Sequence, residues 1–228
     1  MNFLSHFNIL PDHHDHALCF GSVMPDLVRA SGLLKIKKPI IMNDPFHIQI
    51  ERGISYHLQA DYVFHSSLYF ESWQKALGHL LGKEKLETLP KYLNFYGHVL
   101  IEMWIDRILL LTNQNVGELF YANLEKIEKD KLKCWWEIRF VKHRDEFDFF
   151  WNFYLKFINQ KFVLAYANEA GFKRAIKGLA FRVHRYELNE YDLNFLFSAC
   201  NEVNELIVSE QKDFWTAMES GLQVYLPN

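Results

Sequence analysis

Two segments of this chain combine a largely apolar circumference with polar residues at a fixed interval of four, and few folds accommodate that. In 53–70, GISYHLQADYVFHSSLYF, the recurring residues are His57, Asp61 and His65. In 97–107, GHVLIEMWIDR, they are His98, Glu102 and Asp106. On an α-helix, residues i, i+4 and i+8 lie one above another, each turned about 40° further round the axis. Each segment therefore reads as a helix carrying a ladder of imidazoles and carboxylates. Tyr56, Tyr62, Val63 and Phe64 surround the first ladder, and Val99, Leu100, Ile101, Met103, Trp104 and Ile105 surround the second. Helices apolar over most of their circumference are largely buried. Buried carboxylates and imidazoles need partners, because unpaired buried charge is costly. Within 53–70 there is no Lys or Arg, and near the second ladder only Arg107. Metal ligation answers that need better than a solvent-facing stripe does.

The remaining chain extends the helical reading. Apolar residues recur at three- and four-residue spacing in 55–80, 91–112, 116–130, 145–168 and 190–219, without convincing strand alternation. The segment GSVMPDLVRASG places Asp26 near an early helix whose start Pro25 obscures. Residues 31–46, with two of the six prolines, read as an irregular connection. NQNVGELF at 113–120 punctuates two helices, and Asn189 or a neighbour caps a last long one. The expected fold is all-α, a single-domain helical bundle over 1–228. At 228 residues, half of them hydrophobic, the chain buries a sizeable core.

A formal charge of −3 argues against strong nonspecific nucleic-acid binding. The three cysteines (Cys19, Cys134, Cys200) form no CxxC pair, which excludes a disulfide framework and points to a reducing compartment. MNFLSHFNILPDHHDHA has no Lys or Arg before its short apolar run and makes a poor signal peptide. No apolar run approaches the ~20 residues of a membrane span. The expected setting is cytoplasmic, without stable membrane insertion; oligomeric state is not legible.

Helix geometry limits what the ladders can bind. Four residues rise about 6 Å and eight about 12 Å, whereas metal–ligand bonds are about 2 Å. One helix therefore lends an adjacent i, i+4 pair to one ion, not all three rungs. A mononuclear site would draw on two helices, with the remaining rungs as outer support. Alternatively, two ions about 3.5–4 Å apart would share a carboxylate along the seam. His57, Asp61 and His98 are the strongest ligands on this reading, and His65, Glu102 and Asp106 are further ligands, outer support for the ligands or proton relays. Taken singly, His6 and Asp26 read as satisfied polar core residues.

Other apparent motifs are weaker. His13, His14, Asp15 and His16 in PDHHDHAL follow a proline in a turn, where adjacent residues point different ways. HRDEFDFFWN opens like a kinase catalytic loop but has its Asn at the wrong spacing. The chain has no GxGxxG, Walker A or GxSxG sequence. The stretch KRAIKGLAFRVHR at 173–185 carries Lys173, Arg174, Lys177, Arg182 and Arg185. It fits a solvated helix face and a surface for phosphate or an acidic partner alike.

In order along the chain, MNFLSHFNIL with His6, GSVMPDLVRASG with Asp26, GISYHLQAD with His57 and Asp61, YGHVLIEMW with His98 and KGLAFRVHR with Arg182 form a series. The series resembles the acyl-carrier-protein phosphodiesterase family, a helical group related to the HD-type metal phosphohydrolases. Gly97 stands where that family has Asp before His, Leu58 and Gln59 replace a basic residue, and His65 stands where Asp is usual. The resemblance implies an HD-like fold and hydrolysis of the phosphodiester that joins 4′-phosphopantetheine to acyl carrier protein. It also implies a divalent ion, Mn²⁺ first, with Zn²⁺, Fe²⁺ or Mg²⁺ as substitutes. On this reading Asp26 and His6 join the metal ligands, and Asp26, Asp61 and Glu102 are the catalytic carboxylates. Arg182, Lys173 and Arg185 contact substrate, and acyl carrier protein is the partner. GSVMPDL and ADYVFHSS also resemble the zinc-dependent phospholipase C type of helical hydrolase. A further alternative is a non-catalytic helical binding module with a structural metal.

Overall fold

The computed structural model describes residues 1–83 and 93–225. Its helices are α1 (Phe3–Asn8), α2 (His16–Ala30), α3 (Pro45–His65), α4 (Leu68–Lys83), α5 (Leu93–Thr112), α6 (Gln114–Leu124), α7 (Lys129–Arg139), α8 (Phe147–Gln160), α9 (Glu169–His184), α10 (Glu190–Glu202) and α11 (Asn204–Tyr225). Two short 3-10 helices, Val141–Glu146 and Phe162–Ala167, link α7 to α8 and α8 to α9. No strand occurs among the described residues. The protein is all-α, as its periodicity requires.

Side-chain caps fix several helix starts. Asp15 accepts from the Ala17 and Leu18 amides before α2, and Asp44 accepts from the His47 amide with Pro45 at the first helical position of α3. Asn113, Asn168 and Asn189 accept amides at the starts of α6, α9 and α10. These side chains satisfy N–H groups that a helix leaves unbonded. Pro25 lies inside α2 rather than before it.

The long periodic stretches divide where the chain must turn. The expected 55–80 run breaks at Ser66 and Ser67; the Ser67 hydroxyl accepts from the Phe70 amide (3.1 Å) and donates to the Phe64 carbonyl (2.7 Å). The 116–130 stretch breaks between Leu124 and Lys129, and the 190–219 stretch at Val203. Residues 91 and 92 of the 91–112 stretch lie outside the described residues.

α5 runs through the interior, with Leu100, Ile101 and Trp104 buried, whereas α3, expected to be buried round most of its circumference, buries one face through Ile54, Ala60 and Phe64 and leaves Tyr62 and His65 exposed. The four buried tryptophans on α4, α5 and α7 all have partners for their indole N–H. Trp73 donates to Glu210, Trp104 to Asn204, Trp135 to Glu51 and Trp136 to the His143 carbonyl. Buried polar atoms satisfied in this way carry little desolvation penalty.

Two glycines set how closely α2 and α3 approach. A Cβ on Gly21 would stand 2.1 Å from the Ile50 carbonyl oxygen, and one on Gly53 2.3 Å from that of Leu18. Both obstacles are backbone, so neither can swing aside. This crossing brings the Ser22 and Asp26 turn of α2 against His57 of α3. Gly53→Ala is expected to wedge the two helices apart and destabilise the fold by about 1–3 kcal/mol. Urea unfolding measures this, and an unchanged midpoint would show that the close crossing is not required.

Candidate metal centre

Assembly of the site starts at α1, a helix of six residues too short to be stable alone. Its first-turn amides are held from another helix. Asp106 accepts the Leu4 amide (3.0 Å), the Ser5 amide (2.8 Å) and the Ser5 hydroxyl (2.6 Å). A carboxylate at a helix N-terminus also complements the helix dipole. Burial nevertheless pushes the Asp106 carboxyl up to about 7, against the pull of those three donors. Asp106, expected as a ligand, instead fixes the helix that delivers His6, and belongs to neither ligand group described below.

The inner group joins α1 to α3. His6 Nε2 lies 3.2 Å from Asp61 Oδ1, and His57 Nε2 lies 3.7 Å from Asp61 Oδ2. The His6 and His57 rings stack with centroids 3.8 Å apart. His57 Nδ1 lies 2.8 Å from the Ser22 carbonyl oxygen. That oxygen can only accept, so Nδ1 carries the proton and Nε2 turns its lone pair toward Asp61. Asp26 Oδ2 stands 3.9 Å from His6 Nε2. His6 Nδ1 and Asp26 Oδ2 are buried without a hydrogen-bond partner, and His6 Nε2 has only its 3.2 Å approach to Asp61. Buried polar atoms left in this state are rare.

The outer group joins α3 to α5. His65 Nε2, His98 Nε2 and Glu102 Oε1 form a triangle whose three sides are each 3.1 Å. Ligand atoms held 2.0–2.1 Å from a tetrahedral ion stand about 3.3–3.4 Å apart, so little movement separates this triangle from a coordination face. Phe70 meets both rings edge-on, at 5.1 and 5.0 Å, and holds them upright. The side chains of His65 and His98 are 32% and 40% exposed, which leaves the outward side of the triangle open. Within each group, the three donor atoms lie within 4.8 Å of one another.

Between the groups lies the Met1 ammonium, 2.8 Å from Asp61 Oδ1 and 3.2 Å from Glu102 Oε1. The two carboxylate oxygens are therefore no more than about 6.0 Å apart. No carboxylate bridges the groups, so they form two neighbouring sites rather than one bridged pair. Burial alone would raise Asp61 and Glu102. The ammonium and the nearby histidines outweigh it and hold both carboxyls well below the usual range. The ammonium itself is pushed up to about 10, as the attraction of Glu102 and Asp61 exceeds the cost of burial. Burial lowers His6 to about 4, aided by His57, and lowers His57 as well. Both imidazoles are thus neutral at pH 7, the form that ligates metals. Burial pushes the Asp26 carboxyl up to about 6.

The basic residues of α9 are distributed along its length. The Arg182 charge acts on the buried Tyr166 hydroxyl, which also feels Asp26 and shares a hydrogen bond with the Asn2 side chain. Arg182 is exposed on α9. Lys173 is engaged by Glu169 and Asn194 and lines a separate open cleft of about 500 Å³ with Arg174 and Lys177. Arg185 lies over the Phe181 ring. Sequence reading missed the Met1 ammonium, the Ser22 carbonyl and Tyr166. The first two are backbone groups with no residue-type signal, and Tyr166 resembles any core aromatic.

Calorimetric titration with Mn²⁺ is expected to show two binding events. His57→Ala should weaken one and His98→Ala the other, each by at least about tenfold. Asp106→Ala should lower stability by roughly 3 kcal/mol through its stranded donors. Loss of both events in either histidine variant, with folding intact, would contradict the division into two groups.

Comparison with known proteins yields no match, whether to a family model, a curated protein or a solved structure.

Proposed function

We propose that this protein is a divalent-metal-dependent phosphoester hydrolase. The observation that carries the reading is that two adjacent groups each present two imidazoles and one carboxylate: His6, His57 and Asp61, then His65, His98 and Glu102. Three protein ligands with an open side are typical of catalytic centres, whereas structural sites close their coordination with four. The exposure of His65 and His98 favours an enzyme over a binding module with a structural metal. The unpartnered His6 Nδ1 and Asp26 Oδ2 support an ion at the inner group, and the donor set suits Mn²⁺, Zn²⁺ or Fe²⁺.

A bound ion would supply positive charge for the phosphate oxygens and a water of lowered pKa. The chain's own residues have separable tasks. His57 is held in the ligating tautomer by Ser22, and Asp61 supplies the negative charge that keeps an ion in the inner group. Asp26, outside the group's donor triangle and pushed up to about 6 by burial, exchanges the proton. A carboxyl with a pKa near the operating pH suits general acid–base work. Arg182, the position that matches the family's arginine, receives the phosphate.

Within that reading the proposed substrate is holo-acyl carrier protein, cleaved to release 4′-phosphopantetheine. Support comes from the convergence of four residues on which the family resemblance rests: His6, Asp26, His57 and Asp61 meet through contacts of 3.2 to 3.9 Å. The cytoplasm is the compartment in which that substrate would be met.

With Mn²⁺, the protein is expected to hydrolyse bis(p-nitrophenyl) phosphate and holo-acyl carrier protein, and chelation should abolish both activities. Asp26→Asn should lower kcat by about 10²–10⁴-fold while metal content is kept. Asp61→Asn should lose metal and activity together. Metal-loaded protein that cleaves neither substrate would refute the reading.

A further inference from the structure

Away from the metal centre, the α2–α3 connection and the C-terminal end of α7 form a single face. Arg139 Nη2 donates to the Lys38 carbonyl (2.6 Å), and Glu51 accepts the Ile40 amide (2.9 Å). Glu51 also accepts from Trp135 (2.9 Å) and from Arg139 Nη1 (2.6 and 2.5 Å to its two oxygens). Arg139 lies against the Trp135 and Phe140 rings, and Ile36 is buried beneath the loop. The connection is therefore clamped, not loose. What it presents is unusual for a clamped loop. Ile41 is 96% exposed, and Val141, beside the loop on the first 3-10 helix, is 59% exposed. A cleft of about 320 Å³ between the two segments is lined by Lys35, Arg139, Val141 and Lys142 among others.

Around these apolar tips lie the exposed cations Lys35, Lys37, Lys38, Lys142 and Arg144. Among the described residues, the salt bridges of this face join Arg139 to Glu51, His143 to Glu146 and Lys133 to Glu137, and engage none of those five. The face thus carries an excess of positive charge on a chain whose formal net charge is −3. Asp44 at the end of the connection, Asp145, and Glu137, which pairs with Lys133, are its remaining acids.

We infer that this face docks the protein onto the surface of an anionic lipid bilayer. Cations interleaved with exposed aliphatic tips match what a headgroup layer offers: negative charge outside and acyl chain a few ångströms below. Exposed Ile and Val enter such a layer, whereas single-stranded nucleic acid would call for exposed aromatic rings to stack on. No helix among the described residues is long and apolar enough to cross a membrane, so the attachment is peripheral and salt-sensitive. The inference is independent of the hydrolase reading.

The test is flotation of the whole protein with vesicles of phosphatidylcholine alone and of phosphatidylcholine with 30 mol% phosphatidylglycerol, at low and high salt. The expected result is binding to the anionic vesicles only, released by salt. The triple variant K35E/K37E/K38E should weaken it by at least about a hundredfold. Ile41→Asp, at an almost fully exposed position that folding does not need, should weaken it by about tenfold or more and keeps the test decisive if the triple variant misfolds. Lack of anionic-vesicle binding, equal binding to neutral vesicles, or binding unchanged in both variants would overturn the inference. So would tighter binding of an oligonucleotide or a polyglutamate peptide than of the vesicles.

Discussion

Everything in the interior of this protein has to accommodate negative charge that the core itself cannot solvate. Asp61 and Glu102 lie within about 6.0 Å of each other, on α3 and on the largely buried α5, with Asp26 alongside. Carboxylates so placed would repel one another and lose their hydration, and they persist only beside concentrated positive charge. The Met1 ammonium supplies part of it, and the neutral imidazoles around it are arranged for a metal ion. The close α2–α3 crossing, the Asp106 clamp on α1 and the stacked His6 and His57 rings all serve to bring donors to those carboxylates.

The two ligand groups differ in ways that suit division of labour. The inner one has sheltered imidazoles, since His6 and His57 are buried and the Ser22 carbonyl fixes the His57 tautomer, but its Asp61 side chain is 34% exposed. The outer one opens to solvent through His65 and His98 and rests on Phe70. On the proposed reading, the inner group with its buried imidazoles lies beside an acid with a raised pKa, and the outer group faces the solvent from which an anionic substrate would come. The ammonium between them holds Asp61 and Glu102 ionised.

How far this was legible in the sequence follows from helix geometry. The i, i+4 spacing made His57, Asp61, His65, His98, Glu102 and Asp106 stand out, and five of the six lie in the two groups. The sixth departs for a reason contained in the same geometry. Eight residues turn a side chain by about 80°, so the ends of a ladder face different neighbours. His57 looks toward α1 and α2 while His65 looks toward α5, and Asp106 has rotated away to the α1 amides. The helical class was plain from periodicity. The breaks at Ser66–Ser67 and Val203 were not, because apolar spacing continues across them and only tertiary contacts select the turn. His6 and Asp26 entered through family resemblance, since no spacing rule connects residues 6, 26 and 57. The Ser22 carbonyl and the Met1 amine carry no residue-type signature, and only the folded chain reveals them.

The decisive measurement is anomalous diffraction at the manganese edge from crystals grown with Mn²⁺. Two peaks are expected, one in contact with His6, His57 and Asp61 and one in contact with His65, His98 and Glu102. A well-ordered map without a peak at either group, with the Met1 ammonium still seated between Asp61 and Glu102, would mean that the ladders are buried polar structure and not a metal centre.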